Sequence, residues 1–139
     1  MSKLKGLLLT EGLHGMISQV EGLAKALDLD YFHEKIELKN PWNIFPHSLT
    51  PVKKFVFKNQ INKEYDIIIS CGRKSIIPSI FLKKNSNKKI VNIHIQNPKI
   101  SNKYFDFVVV PDHDSIEGSN VLISKGAIHY LTIDEINNS

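Results

Sequence analysis

The stretch Asp66-Ile-Ile-Ile-Ser-Cys-Gly-Arg-Lys-Ser75 decides the fold. Asp66 to Ser70 is the clearest strand in the chain, an apolar run of the kind that is buried on both faces of a sheet. Gly72 interrupts it. Ser75 to Lys84 then reads as a helix with Ile76, Ile77, Ile80 and Phe81 inward. Pro78 falls in the first turn, where a missing N–H costs least. At the join stands Arg73, the one arginine among eighteen strong bases. A guanidinium is a planar, permanently charged fork of five donors that lysine does not imitate. A strand end followed by glycine and a helix start directs backbone N–H groups at an anion. Arg73 is therefore read as ligand-facing, against the plainer alternative of a helix-terminal surface residue.

The same alternation extends in both directions. Leu4 to Leu9 is a short, nearly continuous apolar strand, and Glu11-Gly-Leu-His-Gly15 is a glycine-bracketed turn. Ile17, Val20, Ala24 and Leu27 then recur at helical spacing, with Ser18, Gln19, Glu21 and Lys25 opposite. Gly22 inside this helix costs about 1 kcal/mol relative to Ala, and close packing on a strand is the expected reason. Residues 31–38 alternate as a second strand. Lys39 to Thr50, with Pro41, Pro46, Trp42 and Phe45, reads as an ordered loop. Thr50-Pro51 predicts an N-cap and first helical position, with Val52, Phe55 and Val56 on one face. Strands follow at Ile90–Ile95, Phe107–Val110 and Val121–Ser124. Strands alternating with helices predict a parallel sheet in a three-layer, Rossmann-like α/β domain.

Composition bounds the rest. A chain of 139 residues with 42% hydrophobic and 23% charged residues is one globular domain. The net charge is +4, with short clusters at Lys53-Lys54, Lys83-Lys84 and Lys88-Lys89 that favour anionic ligands or headgroups weakly. Aromatic residues are not interleaved with basic ones, so nucleic acid is not expected as a partner. Cys71 is the only cysteine, which excludes an internal disulfide and fits a reducing, cytoplasmic location. The apolar run near the N-terminus is too short for a signal peptide, and no run reaches the roughly 20 residues that span a bilayer.

In parallel sheets ligands collect outside the carboxyl ends of the strands. Four polar runs fall there: Glu11–Gly15, Ser70–Ser75, His94–Pro98 and Asp112–Asp114. His14 precedes a helix, where an imidazole can touch a phosphate or act as acid or base; the alternative is a loop histidine without a partner. Gly12 and Gly15 resemble a truncated phosphate loop, but neither Gly-x-Gly-x-x-Gly nor a Walker Lys-Ser/Thr is present. Cys71 beside Arg73 has the setting of an activated thiol, and a small buried residue explains it equally well. Asp112-His113-Asp114 offers metal ligands with His94 or His129, but the spacing matches no specific site. A hydroxyl-binding or solvated strand end is the preferred reading, and no metal is expected. Gln96 and Asn97 either bind sugar or amide groups or cap the turn at Pro98.

On these runs the chain resembles bacterial members of the mitochondrial fission ELM-type (elongated mitochondria) family. The resemblance rests on Glu11 to Leu27, on Ile-Ile-Ile-Ser-Cys-Gly-Arg-Lys-Ser75 with Pro78, and on Ile-His-Ile-Gln-Asn-Pro98. It continues in Phe-Asp-Phe-Val-Val-Val-Pro-Asp-His-Asp114, Asn120-Val121 and Lys-Gly-Ala-Ile-His129. The family is similar to glycosyltransferases of the two-Rossmann GT-B type, and more distantly to the N-acetylglucosaminyltransferase that makes lipid II. Its plant member recruits a dynamin-related fission protein. Some members are labelled nucleoside-diphosphate-sugar epimerases, whose Gly-x-x-Gly-x-x-Gly fingerprint is missing here.

The resemblance implies a GT-B N-terminal, acceptor-side domain over residues 1–132 and a polar tail over 133–139. On that resemblance the donor-binding second domain is expected to be absent. Arg73, with Gly72, Lys74 and Ser75, would hold an anionic group of the acceptor, and His14 or His94 would serve as base. Gly15, Gln19, Gln96, Asn97, Asp112 and His113 complete the expected ligand set. The complete protein would be a nucleotide-sugar-dependent glycosyltransferase, and this chain alone would be inactive. No cofactor is implied. Expected partners are a nucleotide-sugar or anionic acceptor, a C-terminal domain or second copy, and weak peripheral membrane contact. The rival expectations are a non-catalytic adaptor for a protein or membrane, and a small nucleotide- or sugar-phosphate-binding protein acting alone.

Overall fold

The computed structural model describes residues 4–46, 49–96, 102–110 and 121–123. Asn97, Asp112, His113, Asp114, His129 and the 133–139 tail lie outside the described residues. The strands are β1 (Lys5–Thr10), β2 (Asp30–Lys35), β3 (Ile67–Cys71), β4 (Val91–Ile95), β5 (Phe107–Val110) and β6 (Val121–Ile123). They form one sheet in the order β2-β1-β3-β4-β5-β6, and every pairing is parallel. The two α-helices among the described residues are α1 (His14–Ala26) and α2 (Ile76–Lys84). The fold is the three-layer, Rossmann-like α/β arrangement that the alternating pattern predicts.

The winding reverses at β1. From β1 the chain moves outward to β2, whereas from β3 it moves the other way to β4. Right-handed crossovers in opposite directions place their helices on opposite faces of the sheet. Accordingly α1 buries Val20, Leu23 and Ala24 in one core layer with Leu8, Ile67, Ile69 and Ile93. On the other face α2 buries Ile76, Ile77 and Ile80 with Val108 and Val110, beside a layer holding Leu7, Leu9 and Ile68. Alternate residues of β1 and β3 thus feed opposite layers, which is why these strands read as unbroken apolar runs. Each fully buried Leu or Ile contributes about 1.5–3 kcal/mol relative to exposure.

The connection from β2 to β3 departs from the sequence reading. The helix expected from Thr50-Pro51 does not form; only a 3₁₀ turn at Lys54–Val56 is present. Thr50 spends its hydroxyl as a donor to the Pro46 carbonyl at 2.9 Å, so it caps nothing. Lys53 is extended at φ −140° and ψ 152°. The chain follows the tertiary demand instead of the local signal: Val56 and Phe57 are buried against the α2 layer, and Leu38 bridges Phe57 in antiparallel fashion. The second strand accordingly ends at Lys35 instead of Leu38. Beyond it, the Asn59 side chain accepts from the Glu37 N–H at 3.0 Å and donates to the Lys35 carbonyl at 2.8 Å.

Gly22 corrects a second expectation. It is exposed, and a Cβ built there meets nothing within 4 Å, so no strand requires its absence. Gly6, by contrast, lies on β1 where a Cβ would come within 2.9 Å of Leu29. A methyl group at Gly22 should simply remove backbone entropy from the unfolded chain. Gly22→Ala is expected to raise unfolding stability in urea by about 0.5–1 kcal/mol; a decrease would show that α1 packs differently.

Candidate functional site

The reversal at β1 places the topological switch point at the carboxyl ends of β1 and β3, where the two helices diverge to opposite faces, and the crevice expected there is bounded by the turns after those strands. Ligands of doubly wound folds bind at such switch points. Leu9 is level with Ser70 and Cys71 with Ile95, so the turns after β1, β3 and β4 emerge side by side.

Gly72 shapes the floor of the crevice. Its φ of +100° and ψ of 150° lie where only glycine sits comfortably. A Cβ there would be 2.7 Å from the Glu11 carboxylate and 2.8 Å from the Met16 sulfur. Glycine is therefore demanded by both backbone and packing. It lets the first turn of α1 settle over the β3–α2 turn. Glu11 Oε2 then accepts a hydrogen bond from the Lys74 backbone N–H at 3.2 Å. The anion expected at this turn is thus supplied by the chain itself. Ser75 is wholly buried, and its hydroxyl donates to the Gly72 carbonyl at 2.7 Å, so it locks the turn.

Arg73 points outward from this floor. It is exposed, and its Nη1 donates to the Phe45 carbonyl at 3.2 Å, tying the β3–α2 turn to the 41–46 loop. One of the five guanidinium donors is engaged there. Across the crevice, α1 begins without a side-chain cap and without an acidic residue in its first turn. His14 and Gly15 are exposed at that terminus, and the space around Gly15 is open for 4 Å. Gln19, one turn on, lies with Oε1 3.7 Å from the Cys71 sulfur. The fold therefore brings Glu11, Met16 and Gln19 beside Cys71, Gly72 and Lys74, with His14 and Gly15 exposed at the start of α1 and Arg73 exposed on the β3–α2 turn.

His94 is placed elsewhere. It is 1% exposed, its Nδ1 lies 2.8 Å from the Ser70 hydroxyl, and its ring stacks on Phe105 with centroids 5.1 Å apart. It shares with Asn92 the face of β4 away from α1, whose layer takes Val91, Ile93 and Ile95, so His94 stands across the sheet from α1. Gln96 is exposed just past β4 with φ +94°, and its N–H donates to the Val109 carbonyl at 2.7 Å. Among the described residues, no group of three or more His, Cys, Asp or Glu side chains is arranged to hold a metal ion.

Cys71 does not have an activated thiol's environment. Burial, and then the negative charge of Glu11, push its pKa up to about 11. Glu11 joins the two turns through the Lys74 N–H, and it was not singled out as a site residue from the sequence. Its position as the first residue after the β1 strand was the available signal. A second unforeseen contact links Thr10 to β2. The Thr10 hydroxyl accepts from the Gly12 N–H at 3.0 Å and lies 2.6 Å from His33 Nε2. The hydroxyl has a second lone pair besides its proton, so Nε2 can accept from it or donate to it. Burial lowers the His33 pKa, against the raising effects of Glu21 and Glu34.

The model of the mitochondrial fission ELM1 family matches residues 14–139. The chain belongs to that family. The matched span of this ELM1-family chain holds every candidate from His14 to His113, while Glu11 precedes it. No curated protein and no solved structure matches the chain.

Two outcomes follow from the titrating groups. Cys71 in the native protein should react with iodoacetamide at less than about one hundredth of its rate in urea near pH 8; equal rates would place the thiol at the surface. His33 resists protonation in the fold. Below its ordinary value of 6.5 the unfolded chain therefore binds the extra proton, and stability falls with falling pH until the folded ring also titrates. Urea midpoints from about pH 7.5 to about pH 5 should show this decline, and His33→Gln should flatten it. An unchanged slope in the variant would assign the decline to other groups.

Proposed function

We propose that this chain is the acceptor-side half of a GT-B-like sugar transferase, binding an anionic or sugar-bearing acceptor in the crevice between the β1–α1 and β3–α2 turns. The observation that carries the reading is the pairing of an exposed arginine with the open, uncapped start of α1 across a topological switch point. Both features suit a phosphate or carboxylate. Glu11 already occupies the Lys74 N–H, so the acceptor's negative group is assigned to Arg73 and the first turn of α1. His14 is the better-placed of the two candidate bases because it is solvent-exposed, whereas His94 lies within the core. Gln19 and Gln96 offer neutral donors and acceptors for hydroxyl groups, with Asn97, Asp112 and His113 as further candidates. The nucleotide-sugar donor belongs to a second domain in this reading, so the half alone binds without turnover. The expected location is the cytoplasm; among the described residues no helix is long and apolar enough to cross a membrane.

A rival reading is a non-catalytic adaptor, favoured by the exposed apolar side chains of Ile44, Phe45 and Leu49 beside the crevice. Titration separates the two. Inorganic pyrophosphate and sugar 1-phosphates, followed by backbone NMR shifts, should perturb Gly15, Gln19 and Arg73. Arg73→Lys should weaken binding about tenfold or more through loss of the bidentate fork. Shifts absent at millimolar ligand, or unchanged by Arg73→Ala, would favour the adaptor.

A further inference from the structure

The positive charge of this chain is unevenly placed. From Leu38 to Phe105 there are thirteen lysines and arginines and only two acids, Glu64 and Asp66, a balance of +11. The remaining residues sum to −7, leaving the net +4. Two of these lysines are neutralised near the amino ends of the strands, where Lys88 pairs with Asp66 and Lys83 with Asp106. At the other end, Lys39, Lys53, Lys54, Lys58 and Arg73 pair with no carboxylate among the described residues. Lys54 and Lys39 are close enough to feel one another: Lys54 titrates below an ordinary lysine, through burial first and then the Lys39 charge.

The same crossover exposes the chain's apolar side chains. Six large hydrophobic residues are exposed among those described, and four belong to it: Ile44 (73%), Phe45 (41%), Leu49 (71%) and Phe55 (54%). They are not scattered. Trp42 lies between Phe45 and Phe55, with ring centroids 5.7 and 6.1 Å away. It is itself packed against the core formed by Val56, Phe57 and α2. The Arg73 contact to the Phe45 carbonyl sets this aromatic group at the mouth of the crevice. Apolar tips with mostly cationic surroundings, bordered by Glu34 and Glu37 beside Asn59, match an interfacial surface, in which side chains enter the headgroup layer and lysines meet phosphates. Nucleic acid fits less well, since Ile44 and Leu49 offer no ring for a base to stack upon.

We propose that Trp42, Ile44, Phe45, Leu49 and Phe55, with Lys39, Lys53, Lys54 and Lys58, form a docking surface for an anionic lipid bilayer. This is independent of any ligand at Arg73. It places the crevice next to the membrane, where a lipid-borne acceptor would arrive.

The chain carries its own reporter, because Trp42 is its only tryptophan. The full chain should be mixed with vesicles of phosphatidylcholine alone, or of phosphatidylcholine with phosphatidylglycerol. Partitioning should favour the anionic vesicles about tenfold or more, and Trp42 emission should shift to the blue and be quenched by brominated acyl chains. Each lysine removed should weaken partitioning about fivefold, so Lys53→Glu with Lys54→Glu should lower it by more than tenfold. Ile44→Ser with Phe55→Ser should abolish the blue shift while circular dichroism stays native. High salt, where the Debye length shrinks to about 3 Å, should release most of the protein.

Equal partitioning into both vesicles would overturn the proposal. So would binding to polyglutamate without binding to lipid, the mark of an acidic protein partner. If the variants do not fold, brominated-lipid quenching of the unmodified chain decides alone, and its absence is fatal. Failure here leaves pyrophosphate binding at Arg73 unaffected, and the converse also holds.

Discussion

Everything at the carboxyl end of the sheet depends on the missing side chain at Gly72. The β3–α2 turn can take its φ of +100° only there, and only a hydrogen atom leaves room for Glu11 and Met16 above it. Given that fit, Glu11 reaches the Lys74 N–H and links the turn after β1 to the turn after β3. Cys71 is then closed off beneath, and its thiol is held protonated by burial and by the same carboxylate. Arg73 is left on the rim, facing outward. The half-buried Glu11 carboxylate on the turn after β1 and the exposed Arg73 guanidinium on the turn after β3 divide the work of stability from that of recognition.

The helical crossover and the strand runs were legible because burial on two faces leaves a continuous apolar signature, as in Ile67–Ile69. Periodicity likewise placed α1 and α2 within a residue or two. The reading failed where a local signal met a stronger tertiary one. Thr50-Pro51 has the chemistry of a helix start, yet Val56 and Phe57 gain more from the α2 core than a short helix would supply. Gly22 invited a packing explanation because glycine so often has one, and here open space surrounds it.

The candidate site was legible only in outline. The strand-end runs lie where ligands collect in parallel sheets, and the fold brings the Gly15 and Arg73 turns together. What sequence hid were contacts between distant segments, such as Arg73 with Phe45 and Thr10 with His33, which no spacing rule encodes. His94 belongs to the same class. It sits in a polar run at a strand end, but register places it level with Ser70, inside the sheet. Polarity alone does not tell a ligand-facing imidazole from one satisfied within a core.

The amide of Asn59 has a consequence beyond its own three hydrogen bonds. By accepting from Glu37 and donating to Lys35, it imitates the backbone of a neighbouring strand just beyond the end of β2. An outer strand with vacant donors and acceptors is a template on which another copy can polymerise. A single side chain here closes part of that template without adding a strand. The molecule thereby guards this part of its sheet margin against self-association.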